Sequence, residues 1–586
     1  MAVRRAVRIV MSLIALALFV SLAGVLILLF VISRGPSVPD AATLVLEPGG
    51  AIAEVAPDDV VGQVLGRDAT TVRSLVESLQ KAKRDDRIRS VLLMPSTLDL
   101  PYWGKVQELR DAVLDFRESG KTVVAFLEYG GDREYYLASA ADRVFLMPTS
   151  PLDLTGIVSY ELFLKGTLDK LGVFADFLGI GDYKTAPNQL TETGFTPAHR
   201  EMAESLNRDM YGQLVRDLAS SRKKTEDEMR ALLDAGPFLP EEALRAGLVD
   251  ALAYEDQLDD QVPELRGDNG RLRRVDGRDY QRVAADSVGF RPNARIAILY
   301  AVGTIVSGRS ATDPVNGSLI GSDTLVEQIR RVRADTSIDA IVLRIDSPGG
   351  SSVASDVIWR ELMITRDQQP ARPLVASMSD LAASGGYYIA MPAQVIVAQP
   401  GTLTGSIGIY TGKYVLAGAM EKIGVTRETV KSGANADIYS PFDPFTPPQR
   451  AKLDGVMRGY YEQFLTKAAA SRQMTRERLE AVAGGRVWTG QQAREHGLVD
   501  ALGGLDTAVR LAKERAGIAE DEDVELVVYP PRRSLYEAIS EQFGGGSAWA
   551  QLSMFGEHRA VAALSAPARL FRRGEPLALM PFSLTR

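Results

Sequence analysis

Short apolar runs alternate with longer stretches of mixed polarity along most of the chain. The runs are rich in Val, Ile and Leu, and they lie at Val91–Met94, Val123–Leu127, Val144–Met147, Ile341–Ile345, Leu374–Met378 and Val395–Ala398. Continuous apolar runs of this length, separated by helical lengths, predict buried parallel strands in βαβ units. Two longer stretches, Pro197–Arg230 and Pro447–Arg478, predict long helices. The pattern therefore predicts an α/β fold with right-handed crossovers.

Several sequence features occur twice, in the same order and with nearly constant spacing. The offset is 250 for Ala246–Leu252 with His496–Leu502 and for Phe195 with Phe445, and it is 252 for Tyr135 with Tyr387 and for Pro148 with Pro400. Such self-similarity predicts a tandem duplication. The predicted organisation is a tip with a membrane span over 1–34, a first repeat over 43–255, a polar linker over 256–292, a second repeat over 293–515 and a C-terminal extension over 516–586.

One long apolar segment lies near the N-terminus. The residues from Ile9 to Ile32 carry no charge, and about 20 apolar residues suffice to cross a bilayer. The run is longer than that of a cleavable signal peptide and has no polar face, which favours an uncleaved signal anchor over a buried helix. Arg4, Arg5 and Arg8 precede the segment and Arg34 follows it. The positive-inside rule therefore predicts a cytoplasmic N-terminus and a body outside the cytoplasm.

Composition and charge narrow the classes of function. The 586 residues are 46% hydrophobic and carry a net charge of −8, which gives no reason to expect a nucleic-acid partner. Cysteine is absent, and this excludes a disulfide framework, a thiolate zinc site and a cysteine protease. Only three histidines are present, so the side chain that most often serves as general base is scarce.

The two repeats differ at positions suited to catalysis. The second repeat contains Asp346-Ser-Pro-Gly-Gly350 and Ala383-Ser384-Gly-Gly386 just beyond predicted strands, whereas the first repeat has Asp132 at the position equivalent to Ser384. Glycines at such points let backbone N–H groups form an oxyanion hole beside a serine. Taken alone, Ala-Ser-Gly-Gly is also typical of a tight turn that opens a helix. Further candidate serines, on composition alone, are Ser351, Ser352, Ser377 and Ser379.

A serine nucleophile needs a base, and the histidines are poorly placed for this role. His199 lies at a helix start, His496 precedes the repeated Gly-Leu-Val-Asp, and His558 lies in the tail, so each is interpreted as structural. Lysine is the remaining option. Lys184 follows an apolar run in the first repeat, and the equivalent segment of the second, Ala434–Ala436, has no lysine. A lysine in a loop is usually a solvated charge, so Lys184 is a candidate only in combination with Ser384.

Four motifs together resemble one protein family. They are Asp182-Tyr-Lys-Thr-Ala186, Asp346-Ser-Pro-Gly-Gly350, Ala382-Ala-Ser-Gly-Gly-Tyr387 and Thr404-Gly-Ser-Ile-Gly408. The chain is similar, over most of residues 43–530, to the long, duplicated form of the signal peptide peptidase A family, also called protease IV. That family has the Clp protease/crotonase fold. The resemblance therefore implies an α/β chain formed by tandem duplication of a crotonase-like domain.

The resemblance also implies roles for five residues and a function. Ser384 is expected to be the nucleophile and Lys184 the general base, with Ser406 orienting the lysine and the N–H groups of Gly350 (or Gly349) and Gly385 forming the oxyanion hole. The implied enzyme is a serine endopeptidase with a Ser–Lys dyad that degrades remnant signal peptides and other apolar peptides. Its location would be the outer face of the inner membrane. A lysine base must be neutral, which requires Lys184 to be buried away from water and carboxylates.

The expected partners are peptide substrates, the lipid bilayer through residues 9–32 and three further copies of the chain in a homotetramer. No nucleic acid, cofactor or metal is expected. Two alternatives stay open: a crotonase-type acyl-CoA enzyme, since the fold and oxyanion hole also serve thioesters, and an inactive membrane scaffold of the same fold. An outward-facing body argues against the first, because coenzyme A is cytosolic. The second would be favoured if Ser384 and Lys184 lay far apart.

The flanking arginines generate a test of topology. Protease added to intact spheroplasts should degrade the body, because basic residues before the span are retained in the cytoplasm. Carbonate extraction should leave the chain in the membrane fraction. Protection of the body until the cells are lysed would contradict this topology and would favour the acyl-CoA alternative.

Overall fold

The structure is a computed structural model that describes residues 36–56, 70–266, 273–313, 317–368, 371–530 and 575–580, together with Leu16, Phe19, Val20 and Gly24. The predicted span over residues 9–32 lies outside the described residues, apart from those four. Across the described part of the chain, no helix has both the length and the apolar character needed to cross a bilayer.

The two large sheets have the same strand order. From edge to edge, the first sheet consists of parallel strands Ala251–Leu252, Arg143–Leu146, Thr122–Leu127, Ile88–Leu93, Ala42–Leu46 and Arg274–Asp276. Their equivalents in the second sheet are Ala501–Leu502, Val395–Ala398, Leu374–Ala383, Ala340–Ser347, Ala294–Val302 and Val524–Tyr529. Each predicted apolar run falls on one of these strands to within one residue. The α/β class and the tandem duplication are therefore confirmed.

Helices connect the strands and cover the sheets. In the first repeat they are Val72–Arg84, Gly104–Arg117, Asp132–Ala138, Lys165–Leu171, Asn188–Thr191, Pro197–Arg222, Glu226–Ala235 and Pro240–Arg245. Short helices at Glu255–Gln257, Leu258–Gln261, Pro263–Leu265, Gly277–Tyr280 and Ala285–Val288 follow. The second repeat contributes Ser322–Ala334, Ser352–Asp367, Gly385–Ala390, Ala417–Lys422, Pro447–Arg472, Arg476–Glu480, Gly490–Glu495 and Leu505–Ala516.

The two long helices begin by the same local mechanism. Thr196 and Thr446 are the N-caps, and each threonine side chain accepts a hydrogen bond from a backbone N–H of the first turn. A proline follows at the first helical position, where its fixed φ suits the helix and its missing N–H costs nothing. Each helix spans 26 residues and ends in a left-handed residue. The predicted long helices exist, but the first ends eight residues and the second six residues earlier than expected, and a second, shorter helix follows each.

The repeated sequence motifs make the same contact in both repeats. The hydroxyl of Tyr135 donates to the carbonyl oxygen of Leu248 at 2.6 Å, and that of Tyr387 donates to Leu498 at 3.0 Å. Both tyrosine rings are fully buried. A buried hydroxyl needs a partner, so each Tyr-Tyr motif fixes its Gly-Leu-Val-Asp motif against the core.

A third sheet contains strands from both repeats. Its order is Ala311–Asp313, Gly317–Gly321, Thr304–Val306, Gly349–Ser351, Leu577–Leu579, Ile409–Val415 and Phe174–Ile180. Four of these strands are named here: the glycine strand (Gly349–Ser351), the tail strand (Leu577–Leu579), the bridging strand (Ile409–Val415) and the lysine strand (Phe174–Ile180). The lysine strand pairs antiparallel with the bridging strand along its whole length. The first repeat thus completes a sheet of the second.

Short strands, and strands from the predicted linker and extension, complete the sheets. Gly130–Gly131 pairs with Leu152–Asp153 in a two-stranded sheet, and Leu403–Gly405 and Val487–Thr489 extend one side of the second large sheet. Segments of the predicted linker also join the fold, since Arg274–Asp276 forms an edge strand and Leu265 is buried on the first sheet. The predicted extension likewise supplies the edge strand Val524–Tyr529 and the tail strand.

Buried ion pairs hold the two repeats together. Arg344, on a central strand of the second sheet, is only 1% exposed and donates to both carboxylate oxygens of Glu54 at 2.9 Å and to Glu108 at 2.6 Å. Lys105 of the first repeat lies 2.8 Å from Asp346 and 3.3 Å from Asp380 of the second. Burial alone would raise the pKa of Glu54, but Arg344 outweighs it and holds that pKa below its usual value.

Arg344→Met should destabilise the protein strongly, because it leaves the buried carboxylates of Glu54 and Glu108 without their main partner. Breaking a buried pair costs about 3–5 kcal/mol. The matched control Arg331→Met removes an exposed pair with Glu327, for which about 0–1 kcal/mol is expected. Thermal unfolding measures both. Equal shifts in Tm for the two variants would show that the buried cluster does not stabilise the contact between repeats.

Candidate active site

Ser384 lies at the junction of a strand and a helix in the second repeat. Strand Leu374–Ala383 ends directly before it, and helix Gly385–Ala390 begins directly after it. Its backbone has φ +57° and ψ −111°, a conformation that a residue with a side chain rarely adopts and that the surroundings must enforce. The N–H of Ser384 donates to Gly405 at 2.8 Å, which helps to hold this turn. A strained turn between a strand and a helix is also the setting of the nucleophile in the Gly-x-Ser-x-Gly elbow.

Lys184 reaches the same place from the first repeat. It follows the lysine strand and a turn at Gly181, whose φ is +96°. The lysine loop is held by two glycines of the second repeat: the N–H of Tyr183 donates to Gly484 at 3.1 Å, and a Cβ added to Gly485 would lie 2.5 Å from Lys184 Cα. Only glycine permits so close a backbone approach. The lysine is therefore positioned by backbone packing between the repeats.

The amine of Lys184 contacts three oxygens. Nζ lies 2.8 Å from Ser384 Oγ, 2.9 Å from Ser406 Oγ and 3.1 Å from the carbonyl oxygen of Ser406. A neutral amine has two N–H donors and one lone pair. The two contacts to Ser406 can take the donors, which leaves the lone pair directed at the hydroxyl of Ser384. The structure thus brings Lys184, Ser384 and Ser406 together within one chain.

The electrostatic surroundings of Lys184 favour the neutral form. The side chain is 4% exposed, and its three partners, two hydroxyls and a carbonyl, are uncharged. Removal from water disfavours an ammonium ion, and burial lowers the pKa of Lys184 well below 10.5. Lys105 shows the opposite case: it is half-buried, which lowers its pKa, but the charges of Asp346, Asp380 and Glu54 outweigh this and raise the pKa. A lysine can act as a base near neutral pH only in an environment like that of Lys184, which is buried and lacks nearby carboxylates.

The predicted oxyanion glycines lie on either side of the serine turn. Gly349, with φ +99°, and Gly350 belong to the glycine strand, and Gly385 is the first residue of the helix after Ser384. The two elements are in close contact, since a Cβ added to Gly349 would lie 2.6 Å from Gly385 N. The glycine strand therefore packs against the residue that directly follows Ser384.

Other sequence candidates have different surroundings. His199 is fully buried, with Nε2 2.7 Å from Glu161 Oε2, and the ring of His496 packs on Trp488 at 4.2 Å between centroids. Ser377 accepts a hydrogen bond from Arg344 at 2.9 Å, and Ser379 donates to Glu54. These side chains belong to structural contacts. His558 lies outside the described residues.

Sequence reasoning missed the glycines that receive the lysine loop. Gly484 and Gly485 occur only in the second repeat, because the offset of 250 places Asp234 and Ala235 at the equivalent positions. That is the same kind of difference that singled out Ser384, so a full comparison of the repeats would have found them. Gly408, the last residue of the Thr404–Gly408 motif, also packs closely on the lysine side chain, since a Cβ added to it would lie 3.1 Å from Lys184 Cδ.

The sequence of each repeat matches a known protein family. The sequence profile of peptidase family S49 matches residues 115–267 and 366–519, one segment in each repeat. The chain belongs to peptidase family S49. Each S49 segment contains helices and strands of one large sheet, and the second includes Ser384 and Ser406. Lys184 lies in the first.

Curated S49 relatives match over most of the chain. Serine protease SPPA, chloroplastic, from Arabidopsis thaliana is 37% identical over 473 residues, which are 80% of this chain and 69% of the relative. Protease 4 from Salmonella typhi is 33% identical over 458 residues, with 76% and 72% covered. Protease 4 from Haemophilus influenzae is 30% identical over 465 residues, with 77% and 74% covered. The family resemblance expected from the four motifs is therefore confirmed.

The depressed pKa of Lys184 has a measurable effect on stability. Between the folded pKa and the unfolded value of 10.5 the unfolded chain binds one more proton, so stability rises with pH across that window. Lys184→Met removes this dependence. The variant should be more stable than the parent at pH 7, and its advantage should shrink by about 1.4 kcal/mol per pH unit within the window.

Thermal unfolding of both proteins from pH 7 to pH 10 measures the difference. Lys165→Met, at an exposed lysine, controls for the loss of one positive charge. A stability difference between Lys184→Met and the parent that stays constant or grows with pH would contradict a neutral buried lysine.

Proposed function

We propose that this S49 peptidase is a membrane-anchored serine endopeptidase in which Ser384 is the nucleophile and Lys184 the general base. One observation carries the proposal: Lys184 Nζ lies 2.8 Å from Ser384 Oγ in a buried site. The other polar partners of this amine, the hydroxyl and carbonyl oxygens of Ser406, are uncharged. An inactive scaffold was the alternative expected for separated side chains, and this distance removes its support.

In the proposed reaction Lys184 Nζ accepts and returns one proton in each of two steps, acylation and deacylation of Ser384. The hydroxyl of Ser384 donates its proton to the lone pair of Lys184 as Oγ attacks the peptide carbonyl carbon. The carbonyl becomes an oxyanion, which the N–H groups of Gly350 and Gly385 stabilise. The ammonium of Lys184 then protonates the leaving amine as the C–N bond breaks. The neutral lysine then takes a proton from water as the water oxygen attacks the acyl carbon, and it returns that proton to Ser384 Oγ as the ester C–Oγ bond breaks and the acid product leaves.

Ser406 has a positioning role in this proposal. Its hydroxyl and carbonyl oxygens accept hydrogen bonds from Nζ at 2.9 and 3.1 Å, and its own backbone has φ +50°. With both N–H donors engaged there, the amine cannot rotate its lone pair away from Ser384. Ser406→Ala should therefore lower kcat more than it raises KM.

The proposed substrates are apolar peptides in extended conformation, including remnant signal peptides. Support comes from the family and from the 24-residue apolar segment at Ile9–Ile32, which would place the site near the outer membrane surface. Assembly as a homotetramer is part of the proposal on the family resemblance.

Two substitutions test the dyad. Ser384→Ala and Lys184→Ala should each lower kcat/KM for an apolar peptide amide by about 10²- to 10⁴-fold or more, with the fold retained by circular dichroism. Lys184→Arg should not rescue activity, because the guanidinium stays protonated. His496→Ala, at a half-buried histidine, is the control and should retain activity. Loss of activity in the control with full activity in Lys184→Ala would overturn the assignment.

A further inference from the structure

The guanidinium of Arg486 lies against two aromatic rings and a carboxylate beside the lysine loop. Its Cζ atom lies 4.8 Å from the centre of the Tyr183 ring and 4.3 Å from that of the Trp488 ring. Its two terminal nitrogens donate to the two carboxylate oxygens of Glu201 at 2.5 and 2.8 Å. A planar guanidinium can stack on rings and bind a carboxylate through two hydrogen bonds at the same time, which an ammonium cannot do. These four side chains are called the arginine clamp here.

The arginine clamp joins the two backbone segments that hold the amine of Lys184. Tyr183 directly precedes Lys184, and Glu201 lies near the start of the first long helix, so both belong to the first repeat. Arg486 belongs to the second repeat, and its carbonyl oxygen accepts a hydrogen bond from the N–H of Ser406 at 2.7 Å. Ser406 is the residue whose oxygens accept from Lys184 Nζ. Arg486 thus contacts the lysine loop through its side chain and the turn at Ser406 through its backbone.

The ion pair of the arginine clamp is divided between the repeats as the dyad is. At the offset of 250, Gly236 of the first repeat stands at the position of Arg486, and Ala451 of the second stands at the position of Glu201. Another bidentate ion pair recurs in both repeats, as Arg222–Asp250 and Arg472–Asp500. The pair at Arg486 is therefore specific to the contact between repeats that contains Lys184.

Exposure increases outward through the arginine clamp. Lys184 is buried, whereas the side chain of Arg486 is 13% exposed and that of Glu201 is 52% exposed. The clamp therefore extends from the lysine loop to the surface. Because the polar partners of the lysine amine are uncharged, entry of water is what would stabilise its ammonium form.

The titratable groups that face the guanidinium are Tyr183, Glu201 and His496. The hydrogen bonds from Arg486 hold the pKa of Glu201 below its usual value, and burial lowers the pKa of His496. At neutral pH the surroundings of Arg486 therefore contain one carboxylate and a neutral imidazole.

We propose that Arg486 is a positioning residue, which holds the lysine loop against the turn at Ser406 and closes the site of the amine to water. The inference rests on the proposed function, because it takes Lys184 to be the general base. Arg486 acts on the amine through the loop that carries it and through the turn that accepts its hydrogen bonds. Its loss should therefore change the protonation of Lys184 more than it changes the rate of the fully deprotonated enzyme.

The pH profile of kcat/KM for an apolar peptide amide tests this role. Its acidic limb reports the pKa of the base in the free enzyme. Arg486→Gln should move this limb to higher pH by about one unit, because water that reaches the amine stabilises the ammonium. Activity at a pH below the limb should then fall about tenfold, whereas the alkaline plateau should stay close to that of the parent. Arg222→Gln removes a bidentate pair of similar exposure and is the matched control, with the parent's limb.

Glu201→Gln separates the arginine clamp from a simple effect of charge. Loss of a neighbouring negative charge alone would favour the neutral amine and move the limb to lower pH. Loss of the clamp should move the limb to higher pH, as in Arg486→Gln. The side chain of Glu201 is half exposed, so this variant should keep the fold, which circular dichroism checks.

Thermal unfolding gives a second measure that needs no substrate. The stability difference between a protein with Lys184 and its Lys184→Met variant stops changing with pH below the pKa of the folded lysine. That pH should be higher when both proteins also carry Arg486→Gln. The same pH with and without Arg486→Gln would contradict a role of Arg486 in keeping the amine dry.

The outcomes separate this inference from the function on which it rests. A limb that stays in place in Arg486→Gln, or that moves to lower pH in Glu201→Gln, would overturn the arginine clamp if hydrolysis still depends on Ser384. Equal loss of activity at every pH would also overturn it, because a merely structural role predicts that result. Hydrolysis that survives Ser384→Ala would instead refute the proposed function.

Discussion

The candidate site depends on one constraint: a lysine amine must be removed from water without meeting a negative charge. Lys184 meets it because its loop is enclosed by backbone of the other repeat, at Gly484 and Gly485, and because hydroxyl and carbonyl oxygens satisfy the amine. The carboxylates of the interface are paired elsewhere, with Arg344 and Lys105. Contact between the repeats thus both stabilises the fold and sets the chemistry.

Duplication explains how such an interface could arise. Two copies of one sheet provide two equivalent sets of loops. A Ser–Lys pair needs only one serine loop and one lysine loop, so each repeat can lose one of the two. The second repeat keeps the serine turn and the glycine strand, whereas Asp132 stands at the equivalent turn of the first. The first repeat keeps the lysine strand, which pairs with the bridging strand of the second. Each repeat retains what the other has lost, so neither alone contains the site.

The sequence predicts the parts of this structure that have a strong local signal. Central strands such as Leu374–Ala383 are continuous apolar runs, and the long helices carry a Thr-Pro start. The glycine strand and the tail strand have only three residues each, too few to show a period, and their pairing is decided by contacts distant in sequence. Ser384 and Lys184 were found by comparing the repeats and by family motifs. The closeness of their side chains is a tertiary property that no local pattern encodes.

The pairing of residues 200 positions apart has a consequence for biosynthesis. Ribosomes add about 5–20 residues per second, so roughly 10–40 s pass between synthesis of the lysine and of the serine. Gly485, which encloses the lysine loop, follows a hundred positions later. A nascent chain therefore carries a protonated lysine without its serine partner throughout that interval. The candidate site forms only when both repeats are complete and docked, a non-local event of the kind that slows folding.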